Sequence, residues 1–230
     1  MPRDVGVVVV AAGRGSRLGG GTIKQYRPIA GVPMVLRSLR PFTAHPDVLQ
    51  VVLVLPADDA AAPPAFLREL TGERLRIVPG GAERADSVAA GLAGLDPRCG
   101  IVLVHDAARP FVERGVIDAV IGHARAGEGA AAAVRVSDTL KEASPSDPMR
   151  VARTVPRDGL WRAQTPQGFP RAVLERAHAA APAGEPATDD AALVERTGVA
   201  VRLVPDSPRN FKITTADDLA LAERLAGPGE

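Results

Sequence analysis

Six short apolar runs, at residues 5–12, 50–55, 75–78, 101–105, 130–136 and 200–204, constrain the fold of this 230-residue chain more than any other feature. Each is dominated by Val, Ile, Leu or Ala, without the regular polar alternation of a half-solvated strand. Strands of that kind are buried on both faces, as in a parallel sheet covered by helices. Between the runs, residues 32–44, 84–95 and 116–126 have helix-like composition. Within 84–95, Val88, Leu92 and Leu95 recur at helical spacing and define one buried face. Near the C-terminus, Thr215 and Asp218 make a capping pair ahead of Leu219, Leu221 and Leu225. The alternation predicts a three-layer α/β/α sandwich of Rossmann-like form with a mostly parallel sheet.

The chain is long enough for one complete core and short for two, so residues 1–230 are read as a single domain. A formal net charge of +1 supplies no global field for nucleic acid or a membrane surface. The run at 5–12 falls far below the roughly 20 residues of a bilayer-spanning helix and lacks the flanks of a secretion signal. A single cysteine, Cys99, excludes an intrachain disulfide and a cysteine-rich metal cluster. A cytoplasmic location is the expectation.

Residues 137–157 break the rhythm, with three prolines, mixed charge and no clear period. Two readings stand side by side. One is a bland loop, although long structureless loops are uncommon inside compact domains. The other is a protruding hairpin arm, pairing 139–142 with 150–154 around a Pro-Ser-Asp-Pro turn, of the kind that grips a partner subunit.

Directly after the first run comes a glycine-rich loop that includes Ala11, Ala12, Gly13, Gly15, Arg17 and Lys24. Ligands of open α/β sheets bind beyond the carboxyl ends of strands, and glycines let backbone N–H groups approach phosphate oxygens. The dinucleotide fingerprint fails, because Leu18 stands where its third glycine belongs, and no Gly-Lys-Ser/Thr of a P-loop is present. What remains is a phosphate-binding segment carrying two cations. Arg17 can fork across two phosphate oxygens, whereas Lys24 acts as a point charge. Such cations, with Mg²⁺, stabilise the charge that builds when an oxygen nucleophile displaces pyrophosphate from an α-phosphorus. A flexible surface loop with solvated cations is the plain alternative.

Further blocks follow in order. Gly80-Gly81-Ala82-Glu83-Arg84-Ala85-Asp86-Ser87-Val88 precedes Val104-His105-Asp106-Ala107-Ala108-Arg109-Pro110. Thr165-Pro166-Gln167, Thr188-Asp189-Asp190, Asn210-Phe211-Lys212-Ile213-Thr214 and Asp217-Asp218-Leu219 come next. With Lys24-Gln25-Tyr26, this ordered set resembles the 2-C-methyl-D-erythritol 4-phosphate cytidylyltransferase family, from about Val5 to Leu225. The resemblance implies a nucleotidyltransferase fold that transfers CMP from CTP to a polyol phosphate and releases pyrophosphate. It assigns Arg17 and Lys24 to transition-state stabilisation. Ala11, Ala12, Gly13, Gly15, Gly81, Ala82 and Ser87 would read cytosine and seat the nucleotide. Asp106 would meet hydroxyls of ribose and polyol, with the Ala107 N–H beside the ribose. Arg109, Thr139, Arg157, Thr165, Thr188 and Lys212 would surround the acceptor, Thr139 and Arg157 arriving from the other subunit of a homodimer. Mg²⁺ would be held mainly by the triphosphate, with no protein ligand assigned. Ala82 and Pro156 depart from the family pattern.

Other residues carry quieter readings. The acceptor phosphate is already ionised at neutral pH, so His105 is read as structural and not as a general base. His45, His123 and His178 are read as helix-surface residues, and Cys99 as inert. The paired acids Asp58-Asp59 and Asp189-Asp190 could suggest metal binding; the first pair is read instead as solvated loop or helix-start acids, and in the second group Thr188 is read as the functional residue. Lys212, in an apolar stretch, needs an anion if it points inward and is otherwise a solvated strand-edge residue. Two alternatives to the acceptor reading remain: ribitol 5-phosphate in the same chemistry, and a non-catalytic nucleotide-binding protein of the same fold.

Overall fold

The computed structural model describes residues 3–13, 23–181 and 188–227. In chain order the elements begin with β1 (Val5–Val10), a 3-10 turn (Lys24–Tyr26), the small strands β2 (Pro28–Ile29) and β3 (Val32–Pro33), and α1 (Met34–Thr43). Next come β4 (Val48–Leu55), α2 (Ala57–Ala61), α3 (Ala65–Arg68), β5 (Leu75–Pro79), α4 (Arg84–Gly94), β6 (Ile101–Asp106) and α5 (Arg114–Arg125). The remainder is β7 (Gly129–Arg135), β8 (Leu140–Ser144), β9 (Asp147–Val155), β10 (Trp161–Pro170), α6 (Arg171–Ala179), α7 (Asp190–Glu195), β11 (Val201–Pro205) and α8 (Ala216–Ala226).

Seven strands form one sheet in the order β11-β7-β10-β6-β1-β4-β5. Every neighbouring pair is parallel except those of β10, which runs antiparallel to both β6 and β7. All six apolar runs are strands of this sheet, and helices cover both faces, so the three-layer α/β/α architecture is the observed one. Side-chain alternation along β1 explains why its run is unbroken. Val7 and Val9 pack with Leu39, Phe42 and Ile117 on the face of α1 and α5, while Val8 packs with Val88 and Leu92 of α4 on the other. These valines and the helices that cover them exclude water on both sides, which is the dominant stabilising term.

The seventh strand, β10, has no apolar run, and its residues 164–169 are nonetheless buried. Its burial is possible because its polar groups find partners, as detailed below. The irregular stretch at 137–157 is a hairpin, longer than expected: Leu140, Lys141 and Glu142 pair with Val155, Thr154 and Arg153, and the turn falls at Pro145 and Ser146. β9 is exposed along almost its whole length, with Met149 92% exposed.

Two histidine expectations are corrected. His45 is 2% exposed and sits 2.8 Å from Asp118, and the His178 side chain lies against the buried Asp190 at 3.1 Å. An imidazole can be buried once a carboxylate meets it, and that partner is remote in sequence. His123 is half-exposed on α5 beside Glu128. Cys99 is buried, and burial first, then Asp96, pushes its thiol up to about 11, which suits an inert residue. The Thr215–Asp218 capping box is present, each side chain accepting the other's backbone N–H. Among the described residues no helix is long and apolar enough to cross a membrane.

α4 lies unusually close to the sheet, because Gly91 faces it. A Cβ there would stand 2.4 Å from a Val8 methyl carbon and 2.9 Å from one of Val54. Gly91→Ala is therefore expected to destabilise the fold by about 1–3 kcal/mol despite alanine's better helix propensity, measured by urea unfolding.

Candidate active site

The parallel strands β1, β4, β5 and β6 all end on one edge of the sheet, and a cavity of about 290 Å³ opens there. Its floor is backbone from the ends of β1 and β6. The Ala11 N–H donates to Val54 O, and the Ala107 N–H donates to Val10 O, so both segments stay in register with the sheet after the strands end. Ser38 of α1 adds a hydrogen bond to Ala107 O at 2.8 Å. Ala11, Ala12, Gly13, Lys24, Gly81, Ala82, Ser87, Asp106, Ala107 and Lys212 all line the cavity, so ten of the sequence-predicted residues converge there.

The wall from residues 80–83 needs its glycines. A Cβ on Gly80 would come within 2.5 Å of Ala12 Cβ, and one on Gly81 within 2.3 Å of Asp86 Cβ. Without side chains, the segment folds flat against the start of α4. There the Gly81 N–H donates to Ser87 Oγ, whose hydroxyl donates to Glu83 O. Lys24 stands on the 3-10 turn, which is pinned on two sides. Gln25, 5% exposed, donates its side-chain amide to Ala11 O, and the Tyr26 hydroxyl donates to Asp59 at 2.7 Å. Asp59 is thus a hydrogen-bond acceptor at the start of α2 and not merely solvated.

Asp106, 7% exposed, is the electrostatic centre. Lys212 Nζ lies 2.9 Å from Oδ2, Arg109 Nε 3.8 Å from the same oxygen, and Arg84 Nε 3.5 Å from Oδ1. Burial alone would push this carboxyl up, but the Lys212, Arg84 and Arg109 charges together more than reverse that and hold it well below the usual range. Lys212 is therefore turned toward an anion and is not a solvated strand-edge residue. Its segment is tied down at both ends: the Ile213 N–H donates to Ala108 O, and the buried Asn210 donates to Thr165 O at 2.8 Å and to Asp206 at 2.6 Å.

Behind Asp106, β10 supplies a polar scaffold. The Thr165 Oγ accepts from the Asp106 N–H at 3.0 Å and lies 3.1 Å from His105 Nδ1. His105 Nε2 lies 3.0 Å from Arg109 O, which can only accept, so a proton sits on Nε2; in the neutral ring Nδ1 is then an acceptor and takes the Thr165 hydroxyl proton. Full burial above all drives this imidazole down to about 4. His105 is thus structural, as read from the chemistry.

Other predicted residues lie outside the cavity. Arg109 is held behind Asp106, its Nη1 donating to Asn210 O at 2.8 Å, and Thr165 is occupied as just described. Thr188 is exposed at the start of the α7 segment. Thr139 and Arg157 are exposed at the base of the hairpin and do not line the cavity of their own chain; Arg157 donates to Ser137 O. Gly15 and Arg17 lie outside the described residues. The neighbouring acids Asp189 and Asp190 are both engaged within the fold. Asp189 caps α7 by accepting from the Ala192 N–H, and Asp190, 1% exposed, pairs with Arg84 at 2.8 Å. Arg84 itself was missed as a site residue. Its presence between the glycine pair and Ser87 was the available signal.

Among the described residues no three His, Cys, Asp or Glu side chains gather in a way that could hold a metal. Asp106, the carboxylate at the cavity, is already compensated by three cations.

Residues 5–227 match the 2-C-methyl-D-erythritol 4-phosphate cytidylyltransferase family. The chain belongs to this family. It is 46% identical to the 2-C-methyl-D-erythritol 4-phosphate cytidylyltransferase of Pelotomaculum thermopropionicum, covering 96% of this chain and 93% of that protein. It is also 46% identical to the bifunctional enzyme IspD/IspF of Rhodospirillum rubrum, covering 98% of this chain but only 58% of that longer protein. The crystal structure of the 2-C-methyl-D-erythritol 4-phosphate cytidylyltransferase from Thermus thermophilus superposes with a TM-score of 0.80 at 37% identity, covering 97% of this chain and 98% of the other. As a member of this cytidylyltransferase family, the chain has the nucleotidyltransferase fold that its blocks implied.

The neutral His105 makes stability depend on pH. Folded, it resists protonation down to about 4, whereas its ordinary value is 6.5, so between those values the unfolded state binds more protons. Stability should fall as pH drops through that window. Between pH near 7 and pH near 5, urea unfolding should lose about 2 kcal/mol more in the wild type than in His105→Gln.

Proposed function

We propose that the chain transfers CMP from CTP to 2-C-methyl-D-erythritol 4-phosphate, giving 4-diphosphocytidyl-2-C-methyl-D-erythritol and pyrophosphate. The observation that carries this reading is the buried Asp106 ringed by Lys212, Arg84 and Arg109, beside the Gly80-Gly81 wall and Lys24, at the carboxyl edge of a parallel sheet. That edge is where such folds bind nucleotides. The backbone and small side chains at 11–13 and 81–82, with Ser87, suit a flat base that offers one amino donor and nearby acceptors. Asp106, kept ionised, accepts from hydroxyls of ribose and polyol.

In the reaction, an ionised phosphate oxygen of the acceptor forms a bond to the α-phosphorus of CTP. The bond from that phosphorus to the bridging oxygen breaks, and pyrophosphate leaves with the electron pair. No proton has to be removed from the nucleophile, in keeping with a cavity whose one nearby histidine is buried and neutral. Lys24 and Arg17 stabilise the charge that builds on the phosphoryl oxygens, and Lys212 and Arg109 favour the acceptor phosphate. Magnesium would be held mainly by the triphosphate and, when bound, would supply further charge neutralisation there.

The working unit is read as a cytoplasmic homodimer in which the β8–β9 arm brings Thr139 and Arg157 to the partner's acceptor. Support comes from the arm's exposure and from the absence of both residues from the lining of their own cavity. Thr188 and Thr165 complete the acceptor side, Thr165 through its hold on Asp106.

Pyrophosphate release should occur with CTP and methylerythritol phosphate, and fail or fall sharply with other nucleoside triphosphates or with ribitol 5-phosphate or a hexose 1-phosphate as acceptor. Release with ribitol 5-phosphate alone would overturn the acceptor. Lys24→Ala should lower kcat by about 10²–10³-fold while CTP binding, by calorimetry, changes little. Mixing inactive Lys24→Ala and Arg157→Ala dimers should restore about a quarter of wild-type activity, since each hybrid holds one intact site. No recovery on mixing, or a fully active monomer in sedimentation, would overturn the shared site.

A further inference from the structure

The three cations around Asp106 are not equivalent. Lys212 is closest, but its side chain is 43% exposed, its ammonium rides on a flexible stem, and Asp106 is its ion-pair partner among the described residues. Arg109 is 11% exposed and tied by Asn210 O. Arg84 is clamped from both sides. Its Nε faces Asp106 Oδ1 at 3.5 Å, and its Nη1 meets Asp190 Oδ2 at 2.8 Å, so one planar guanidinium bridges two carboxylates. Asp190, the rear carboxylate, is 1% exposed and is held in turn by His178 Nε2 at 3.1 Å. The two oxygens of Asp106 are thereby divided, Oδ1 to the clamped Arg84 and Oδ2 to the exposed Lys212 at 2.9 Å, with Arg109 farther off at 3.8 Å.

We propose that Arg84 is a positioning residue for the transfer: it is the resident counter-charge of Asp106, which allows Lys212 to leave Asp106 for the phosphate of an incoming polyol phosphate. Stripping a partner from a buried carboxylate is costly when nothing else compensates it. With Arg84 fixed from behind by Asp190, Lys212 can turn to the acceptor while Asp106 stays ionised and in place to accept from substrate hydroxyls. The clamp also keeps Arg84 from swinging onto the nucleotide's phosphates, as a loosely held arginine would. Asp190 therefore acts at one remove, by holding Arg84. This inference rests on the proposed reaction and deepens it.

The test uses the full chain and begins with the unmodified protein. If that protein releases no pyrophosphate from CTP with methylerythritol phosphate, the reaction itself is wrong. Given activity, the informative variant is Arg84→Met combined with Asp190→Asn, which removes both charges of the rear pair and leaves no unpaired ion there. Its KM for the polyol phosphate should rise about tenfold or more, and its calorimetric Kd for that compound should rise in parallel, with kcat and the KM for CTP changed by less than about threefold. Arg84→Lys, which keeps the charge but loses the fork, should fall between the two and serves alone if the double variant does not fold. In an Asp106→Asn background the same Arg84 changes should cost less than about threefold, because no carboxylate remains to compensate. Equal costs in the two backgrounds, or a loss confined to kcat or to CTP, would overturn the proposal.

Discussion

A carboxylate buried at the end of a central strand has to be compensated, and much of the site is arranged around that requirement. Asp106 ends the apolar β6 at a position 7% exposed, where an isolated charge would be expelled or neutralised. Three cations answer it, each delivered by a different part of the chain: Arg84 from the start of α4, Arg109 from the loop after β6, and Lys212 from the segment before α8. Their placement brings together the glycine wall, the end of β6 and the C-terminal segment. The fold and the site share this electrostatic knot.

Behind it lies a second layer that turns polar side chains into structure. Thr165, His105, Asn210, Gln164 and Gln167 are all buried, and they hold one another and the backbone of Asp106. Gln167 alone receives the Ala191 N–H and donates to Asp189, joining β10 to α7. Polar groups can be this deep only when paired, and once paired they fix one geometry more strictly than apolar packing does. The position of Asp106 is accordingly set by directional bonds.

The hairpin arm contrasts with this rigidity. β8 and β9 bond mainly to each other, and their side chains face solvent, including Met149 and Val151. A two-stranded ribbon standing alone is marginal in water, so the arm's form makes sense if another surface covers it. Thr139 and Arg157 at its base do not line the cavity of their own chain.

Much was readable without coordinates. Continuous valine runs announced the parallel strands because burial on both faces removes the need for polar alternation. The Thr215–Asp218 box announced α8, since its bonds are local, and the ordered blocks placed ten residues that do line one cavity. What the sequence could not disclose were partners far apart along the chain. β10 was not among the apolar runs because Gln164, Thr165 and Gln167 are polar, and only their distant acceptors and donors make them burial-tolerant. His45 looked like a surface residue for the same reason, until Asp118 met it. Hydrophobic pattern and local capping are properties of neighbours in sequence. Charge compensation and buried hydrogen bonding are properties of neighbours in space, and only the tertiary structure decided those.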